Sequence, residues 1–237
     1  MCIIAVSKRG VKQPTLQQLQ NMYNNNPDGA GYMFARNGKV EIHKGFMTWE
    51  DFKRAITAEK FKDEDPVVYH FRISTQAGIK PTMTHPFPLT TDLKLCEKLD
   101  IVSCPVGIAH NGIIHLTTDY KQTRFSDTAL FITEYMTKLI RHPSDMHDAA
   151  IREMIDTLTN SKWALMEGKT GDIETVGNFI NVKGLLFSNN TYKRIEWKPV
   201  NTKGPGAHWR WDDLLKTWEW IPAEKDSTAG PAKTKSF

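Results

Sequence analysis

The sequence predicts an α+β fold built as a sandwich. Three observations carry that expectation. Short apolar runs rich in β-branched residues mark the first half of the chain, two long amphipathic stretches follow at 127–141 and 146–160, and strand-like runs return between 163 and 188. Strands, then helices, then strands again do not make the βαβ alternation of a parallel sheet.

Residues 2–7 are apolar and β-branched and form the first strand. A short helix over 15–24 is closed by an Asn run and the turn Pro27-Asp28-Gly29-Ala30-Gly31. Strands 31–36 and 39–44 flank Asn37-Gly38, the pair that supplies the two positive-φ positions of a type I′ hairpin. Thr48 with Asp51 three residues on resembles a capping box and opens a helix to about residue 59. The run 67–72 alternates weakly and is apolar, so it reads as a strand buried on both faces. Residues 106–109 form another strand, ending in His110-Asn111-Gly112. In the helix over 127–141, Leu130, Ile132, Tyr135, Met136 and Leu139 make a broad stripe that core packing explains. Strands 163–166 and 173–176 form a hairpin across Gly168-Lys169-Thr170-Gly171, and 184–188 is the last core strand.

The composition changes after residue 195. Five of the seven tryptophans lie beyond it, and Trp209, Trp211, Trp218 and Trp220 are spaced for an aromatic β-hairpin turning over 212–217. The expected organisation is a main domain over 1–195, a Trp-rich appendage over 196–225 and a disordered polar tail over 226–237. From residue 193 onward, nine Lys and Arg face six Asp and Glu, which is most of the net charge of +4. The main domain is therefore nearly neutral, which argues against a large nucleic-acid or phosphate-binding face. No apolar stretch approaches a membrane span, and the early apolar run is too short and wrongly flanked for a signal peptide, so a cytoplasmic protein is expected. Three cysteines without CxxC spacing make neither a disulfide framework nor a zinc site.

Four separated signals carry chemistry. Removal of Met1 would give Cys2 a free α-amine, whose ordinary pKa of about 8 suits a general base beside its own thiol. Arg72, at the end of a buried strand, needs an anionic partner: an internal carboxylate, or the α-carboxylate of an amino-acid ligand that matches its planar fork. Asn111 and Gly112 are either a simple turn or a pair of N–H donors for an oxyanion. Asp127 either caps a helix or holds a substrate ammonium.

Taken together, Cys2, the Arg-Ile-Ser-Thr run 72–75, His85-Pro86, His110-Asn111-Gly112 and Ser126-Asp127 resemble, in order and rough spacing, the glutaminase domain of class II glutamine amidotransferases. The segment from Asp28 to Gly31 is similar to that family's Asp-Gly-x-Gly turn. The resemblance spans roughly residues 2–190. It implies an N-terminal-nucleophile hydrolase fold, a four-layer αββα sandwich with two packed antiparallel sheets. It further implies that Cys2 attacks the side-chain amide of L-glutamine and releases ammonia through a glutamyl thioester. Asn111 and Gly112 would form the oxyanion hole, while Arg72, Thr75 and Asp127 would bind the glutamine. His70, His85 and His110 read as structural, and no cofactor or metal is implied. The sequence departs from the family's usual pattern at Ile3, where Gly is common, and at Gln76, where His is common.

About 40 residues follow the core, too few for a synthase domain, so a separate ammonia-accepting synthetase is the expected partner. Some small members of the family occur in phage and bacterial nucleotide-modification pathways, so the resemblance allows a modified base as the acceptor, and the cytoplasm would be the host's if the chain is phage-encoded. Two other readings stay open. One is an N-terminal-nucleophile amidase acting on another acyl amide, which would not use the charge pair Arg72 and Asp127. The other is a catalytically silent binding protein on the same fold.

Overall fold

The structure is a computed structural model that describes residues 2–74, 79–115, 125–194, 208–212 and 217–221. The chain divides into two compact units, Met1–Ile195 and Glu196–Phe237. The first contains two antiparallel sheets and several helices, so the α+β class holds.

Seven strands form the larger sheet: β1 (Ile3–Ser7), β2 (Ala30–Arg36), β3 (Lys39–Phe46), β4 (Val67–Phe71), β6 (Val102–Cys104), β10 (Ile180–Val182) and β11 (Leu185–Phe187). Their order is β10-β11-β1-β4-β2-β3-β6. The smaller sheet orders β5 (Phe87–Pro88), β7 (Val106–Asn111), β8 (Lys162–Glu167) and β9 (Ile173–Val176) as β5-β7-β8-β9. Three apolar clusters show how the layers stack. Along β1, Ile3 and Ala5 face α1 (Leu16–Asn25) and α2 (Trp49–Glu59), packing with Leu19, Met22, Phe52 and Ile56. Ile4 and Val6 point the other way and join Ala109, Ala164 and Met166 of the smaller sheet. The far face of that sheet, through Ile108, Trp163 and Leu165, packs on Ile132, Met136 and Ile155 of the helices beyond. Two-residue periodicity thus sends each β1 side chain into one of two cores. Both faces are buried, which is why 2–7 and 67–72 read as continuous apolar runs.

Local chemistry sets the ends of several elements. Thr15 caps α1, its hydroxyl accepting from Gln18 N while Gln18 Oε1 accepts from Thr15 N. Thr48 Oγ1 accepts from Asp51 N at 3.2 Å and starts α2. Asn37 and Gly38 have φ of 52° and 75°, as the β2–β3 hairpin requires.

The two long helices differ from expectation. Residues 127–139 form α4 (Asp127–Phe131), a π-helical turn over Ile132–Met136 and α5 (Thr137–Leu139). Thr133 Oγ1 donates to Leu130 O and Thr137 Oγ1 to Thr133 O, and such back-bonding by hydroxyls loosens the regular backbone ladder. Pro143 disfavours helix at His142, so a short 3-10 turn, Pro143–His147, intervenes. The second helix, α6 (Ala149–Thr159), starts only where Asp148 caps it by accepting from Ala150 N. Sequence reading did not assign β5, β6, β10 or the short helix α3 (Leu93–Glu97).

In the second unit, β12 (His208–Asp212) pairs with β13 (Thr217–Ile221), with Trp209 opposite Trp220 and Trp211 opposite Trp218. The register places all four tryptophan positions on one face of the ribbon. Asp212 and Thr217 belong to the strands, so the turn is shorter than expected. The tail 226–237 lies outside the described residues. Among the described residues no helix is long and apolar enough to cross a membrane.

His147 links the 3-10 turn to the β8–β9 hairpin. Its Nδ1 lies 3.0 Å from Glu174 Oε1 and its Nε2 3.1 Å from Glu167 Oε2, so both nitrogens are donors only as imidazolium. Glu174, then Glu167, raises its pKa above the ordinary value. A raised folded-state pKa gives stability that is complete below the unfolded value of about 6.5 and is lost as pH rises through the folded value. His147→Gln is therefore expected to lower the melting temperature at about pH 5.5, with the deficit shrinking toward about pH 8.5. Thermal melts across that range check it, and a deficit independent of pH contradicts it.

Candidate active site

The β1–β4 register builds the site. Ile3 pairs with Phe71 and Ile4 with His70, so one further step brings Cys2 level with Arg72. Cys2 is half-buried, its Sγ 3.6 Å from Ile73 O. Burial pushes its thiol pKa up, and the nearby Arg72 charge lowers it by less. The thiol is therefore protonated at neutral pH and needs a base before it can act as a nucleophile.

Arg72 is 8% exposed. Its backbone is clamped by the 26–31 turn: Arg72 N donates to Gly29 O, Asp28 N donates to Arg72 O, and Asp28 Oδ2 accepts from Ser74 N at 2.6 Å. The turn is steric as well as polar, because a Cβ at Gly31 would lie 2.2 Å from His85 O. Burial lowers the guanidinium pKa, and Cys2, Asp28 and Asp127, in that order, act in the opposite direction. Three expected or neighbouring site groups thus act electrostatically on one arginine.

Asn111 ends β7, opposite Lys162 of β8. Its Nδ2 is 2.8 Å from Ser188 Oγ, while its buried Oδ1 has no hydrogen-bond partner among the described residues. Leaving such a group unpaired costs about 1–3 kcal/mol. Gly112 follows in a bend where a Cβ would lie 2.2 Å from Ser161 Oγ, so only glycine fits. Asp127 is the first residue of α4, after its N-cap Ser126. One oxygen accepts from Ile114 N and the other from Thr128 N, each at 2.8 Å, which fixes the carboxylate against the loop leaving β7. Thr75 and Gln76 lie outside the described residues, as does Met1.

Beneath these groups three histidines tie the sheets together. His70 Nε2 and His85 Nδ1 are 3.1 Å apart, and each is 3.0 Å from His110 O. With both rings neutral, one of the two carries the proton that this carbonyl accepts. His110 Nδ1 lies 2.8 Å from Thr128 Oγ1, and its ring stacks on Trp163 with centroids 4.0 Å apart. Burial lowers the pKa of His70 and of His110 to about 3 and that of His85 well below its ordinary value. His70 lies two residues before Arg72 and His110 one before Asn111, while the carbonyl of His85 sits against Gly31, positions that suit a scaffold.

Two residues absent from the expected set also belong here. Ser188 Oγ accepts from Ile4 N at 2.8 Å, and Asn189 Nδ2 donates to Cys2 O at 2.6 Å. Their signal in the sequence was faint: a Ser-Asn-Asn run closing an apolar strand.

One group of residues elsewhere has metal-ligand geometry. Ligand atoms of His147, Glu167 and Asp172 lie within 4.8 Å of one another, but both His147 nitrogens already face carboxylates and Asp172 is exposed. No protein-family model matches the chain, and no curated protein matches it either.

Proposed function

We propose that this chain is a glutamine amidotransferase of the N-terminal-nucleophile type, hydrolysing the side-chain amide of L-glutamine. The observation that carries the reading is the placement of Cys2 level with Arg72, a guanidinium also acted on by Asp127. A thiol level with a fixed cation, itself within electrostatic reach of a fixed carboxylate, suits a free amino acid: Arg72 takes the α-carboxylate and Asp127 the α-ammonium. Asn111 and Gly112, at the end of the facing sheet, supply N–H donors to the amide oxygen as it becomes an oxyanion. Thr75 lines the pocket on this reading.

With Met1 removed, the α-amine of Cys2 takes the thiol proton, directly or through a water. Sγ attacks the side-chain carbonyl carbon, and the C–N bond breaks as the amine returns the proton to the leaving nitrogen. Ammonia departs and a glutamyl thioester remains. Water then attacks the thioester, giving glutamate and free Cys2. The Trp-rich second unit has two readings, a hairpin that seals the edge of a core sheet, or an anchor for a separate synthetase that consumes the ammonia, as paired tryptophans are common at interfaces.

Three outcomes test these assignments. Mass spectrometry of active protein is expected to show loss of Met1. Cys2→Ser loses nearly all glutaminase activity, and Asn111→Ala lowers kcat by about a hundred- to a thousandfold. Full activity in protein that retains Met1 contradicts the mechanism.

Arg72→Lys is expected to raise the KM for glutamine with a smaller change in kcat, since a point charge loses the bidentate geometry in ground and transition states alike. An unchanged KM would make Arg72 an internal ion-pair residue.

Deleting residues 202–237 is expected to leave a folded protein that hydrolyses glutamine but no longer supplies ammonia to its acceptor enzyme. Aggregation of the truncated chain would place the tryptophans in the core instead.

A further inference from the structure

Ser188 is fully buried and stands between the two halves of the site. Its backbone N donates to Ile4 O, and its Oγ accepts from Ile4 N, so the residue is locked to the strand that begins at Cys2. The same Oγ lies 2.8 Å from the carboxamide of Asn111, which ends a strand of the other sheet.

Hydrogen bonding around this contact is incomplete in one orientation of the carboxamide. With Nδ2 toward Ser188, the hydroxyl oxygen accepts twice, from Ile4 N and from Asn111. Its own hydrogen then has no acceptor among the described residues, and Asn111 Oδ1 is buried without a donor. Oxygen and nitrogen of a carboxamide differ little in shape, and their assignment follows from the surrounding hydrogen bonds. Turning the group by half a revolution repairs both defects. Ser188 Oγ then accepts from Ile4 N–H and donates its hydrogen to Asn111 Oδ1 at the same separation. Nδ2 moves to the place of Oδ1, on the side of the carboxamide away from Ser188. A buried N–H donor then faces away from Ser188, the polarity that a developing negative oxygen requires.

We infer that Ser188 is a positioning residue that holds the Asn111 carboxamide with its N–H groups directed at the oxyanion, coupling that donor to the strand carrying the nucleophile. The inference rests on the reading of Asn111 as an oxyanion donor. With Ile4 N–H donating to the oxygen of Ser188 and the turned carboxamide accepting its hydrogen, the two sheets are joined at the level of the reaction. Removing the hydroxyl leaves the amide free to turn its oxygen, a repelling group, toward the oxyanion.

Two experiments test it. In the first, glutaminase kinetics are measured for Ser188→Ala, Ser188→Thr, Asn111→Ala and the double variant Ser188→Ala/Asn111→Ala, with thermal melts as a folding control. Ser188→Ala is expected to lower kcat by about ten- to a hundredfold, less than loss of the donor itself, with the KM for glutamine unchanged within about twofold. Ser188→Thr, which keeps the hydroxyl, recovers most of that loss. In the Asn111→Ala background the Ser188 change costs nothing further, since its effect passes through the missing carboxamide. Equal losses in both backgrounds would overturn the inference while leaving the glutaminase reading intact. In the second experiment, a neutron structure of the protein locates the Ser188 hydroxyl deuterium, a readout independent of activity and of whether the variants fold. Deuterium pointing at Asn111 Oδ1 is expected. A carboxamide with Nδ2 directed at Ser188 overturns the inference whatever the activity. Wild-type protein that hydrolyses no glutamine overturns the functional reading, and the role of Ser188 with it.

Discussion

The antiparallel placement of β1 between β4 and β11 is the constraint on which the site depends. It sets Cys2 level with Arg72 on one side and brings Ser188 and Asn189 against the first residues of the chain on the other. A shift of one residue would exchange the two faces of β1, sending Ile4 and Val6 toward the helices and Ile3 and Ala5 between the sheets. Both faces are filled by apolar side chains of different shape, so the register is fixed by packing in two cores at once. The short terminal segment is thereby held without a loop of its own.

Near the site, polar contacts add to the apolar packing of Ile4 on Ala109 in positioning the second sheet. His110 O receives ring nitrogens from β4 and from the segment before β5, and Asn111 reaches Ser188. These buried groups sit where the two sheets meet, and burial keeps the histidines neutral. A neutral cluster suits this place, because the Arg72 charge opposes further positive charge on His70 and His85. The same burial raises the thiol pKa of Cys2. On the proposed mechanism, that is why the nucleophile needs an amine on its own backbone and why removal of Met1 matters chemically.

Much of this was legible in the sequence, for identifiable reasons. Continuous apolar runs at 2–7 and 67–72 announced strands buried on both faces, and Asn37-Gly38 announced its hairpin through the φ values only such residues adopt easily. Cys2, Arg72, Asn111 and Asp127 were legible as candidates because each is a chemically demanding residue at an element's end. The failures were of two kinds. The π turn at 132–136 and the late start of α6 at Asp148 depend on hydroxyl and carboxylate bonds to the backbone, which periodicity does not register. Ser188 and the short strands β5, β6 and β10 depend on partners distant in the chain, as in the contact of Ser188 with Ile4 across 184 positions. Thr75 and Gln76 lie outside the described residues, so that part of the expected pocket rests on resemblance alone.

The central claim is that Cys2, as the first residue of the processed chain, carries the acyl group of glutamine. Acid quenching of the active protein during turnover of L-glutamine, followed by peptide mapping, tests this most directly. The account predicts a glutamyl adduct on the peptide that begins with Cys2, absent when glutamine is withheld. Glutamine turnover with no adduct on that peptide, or with the adduct on another residue, would contradict it.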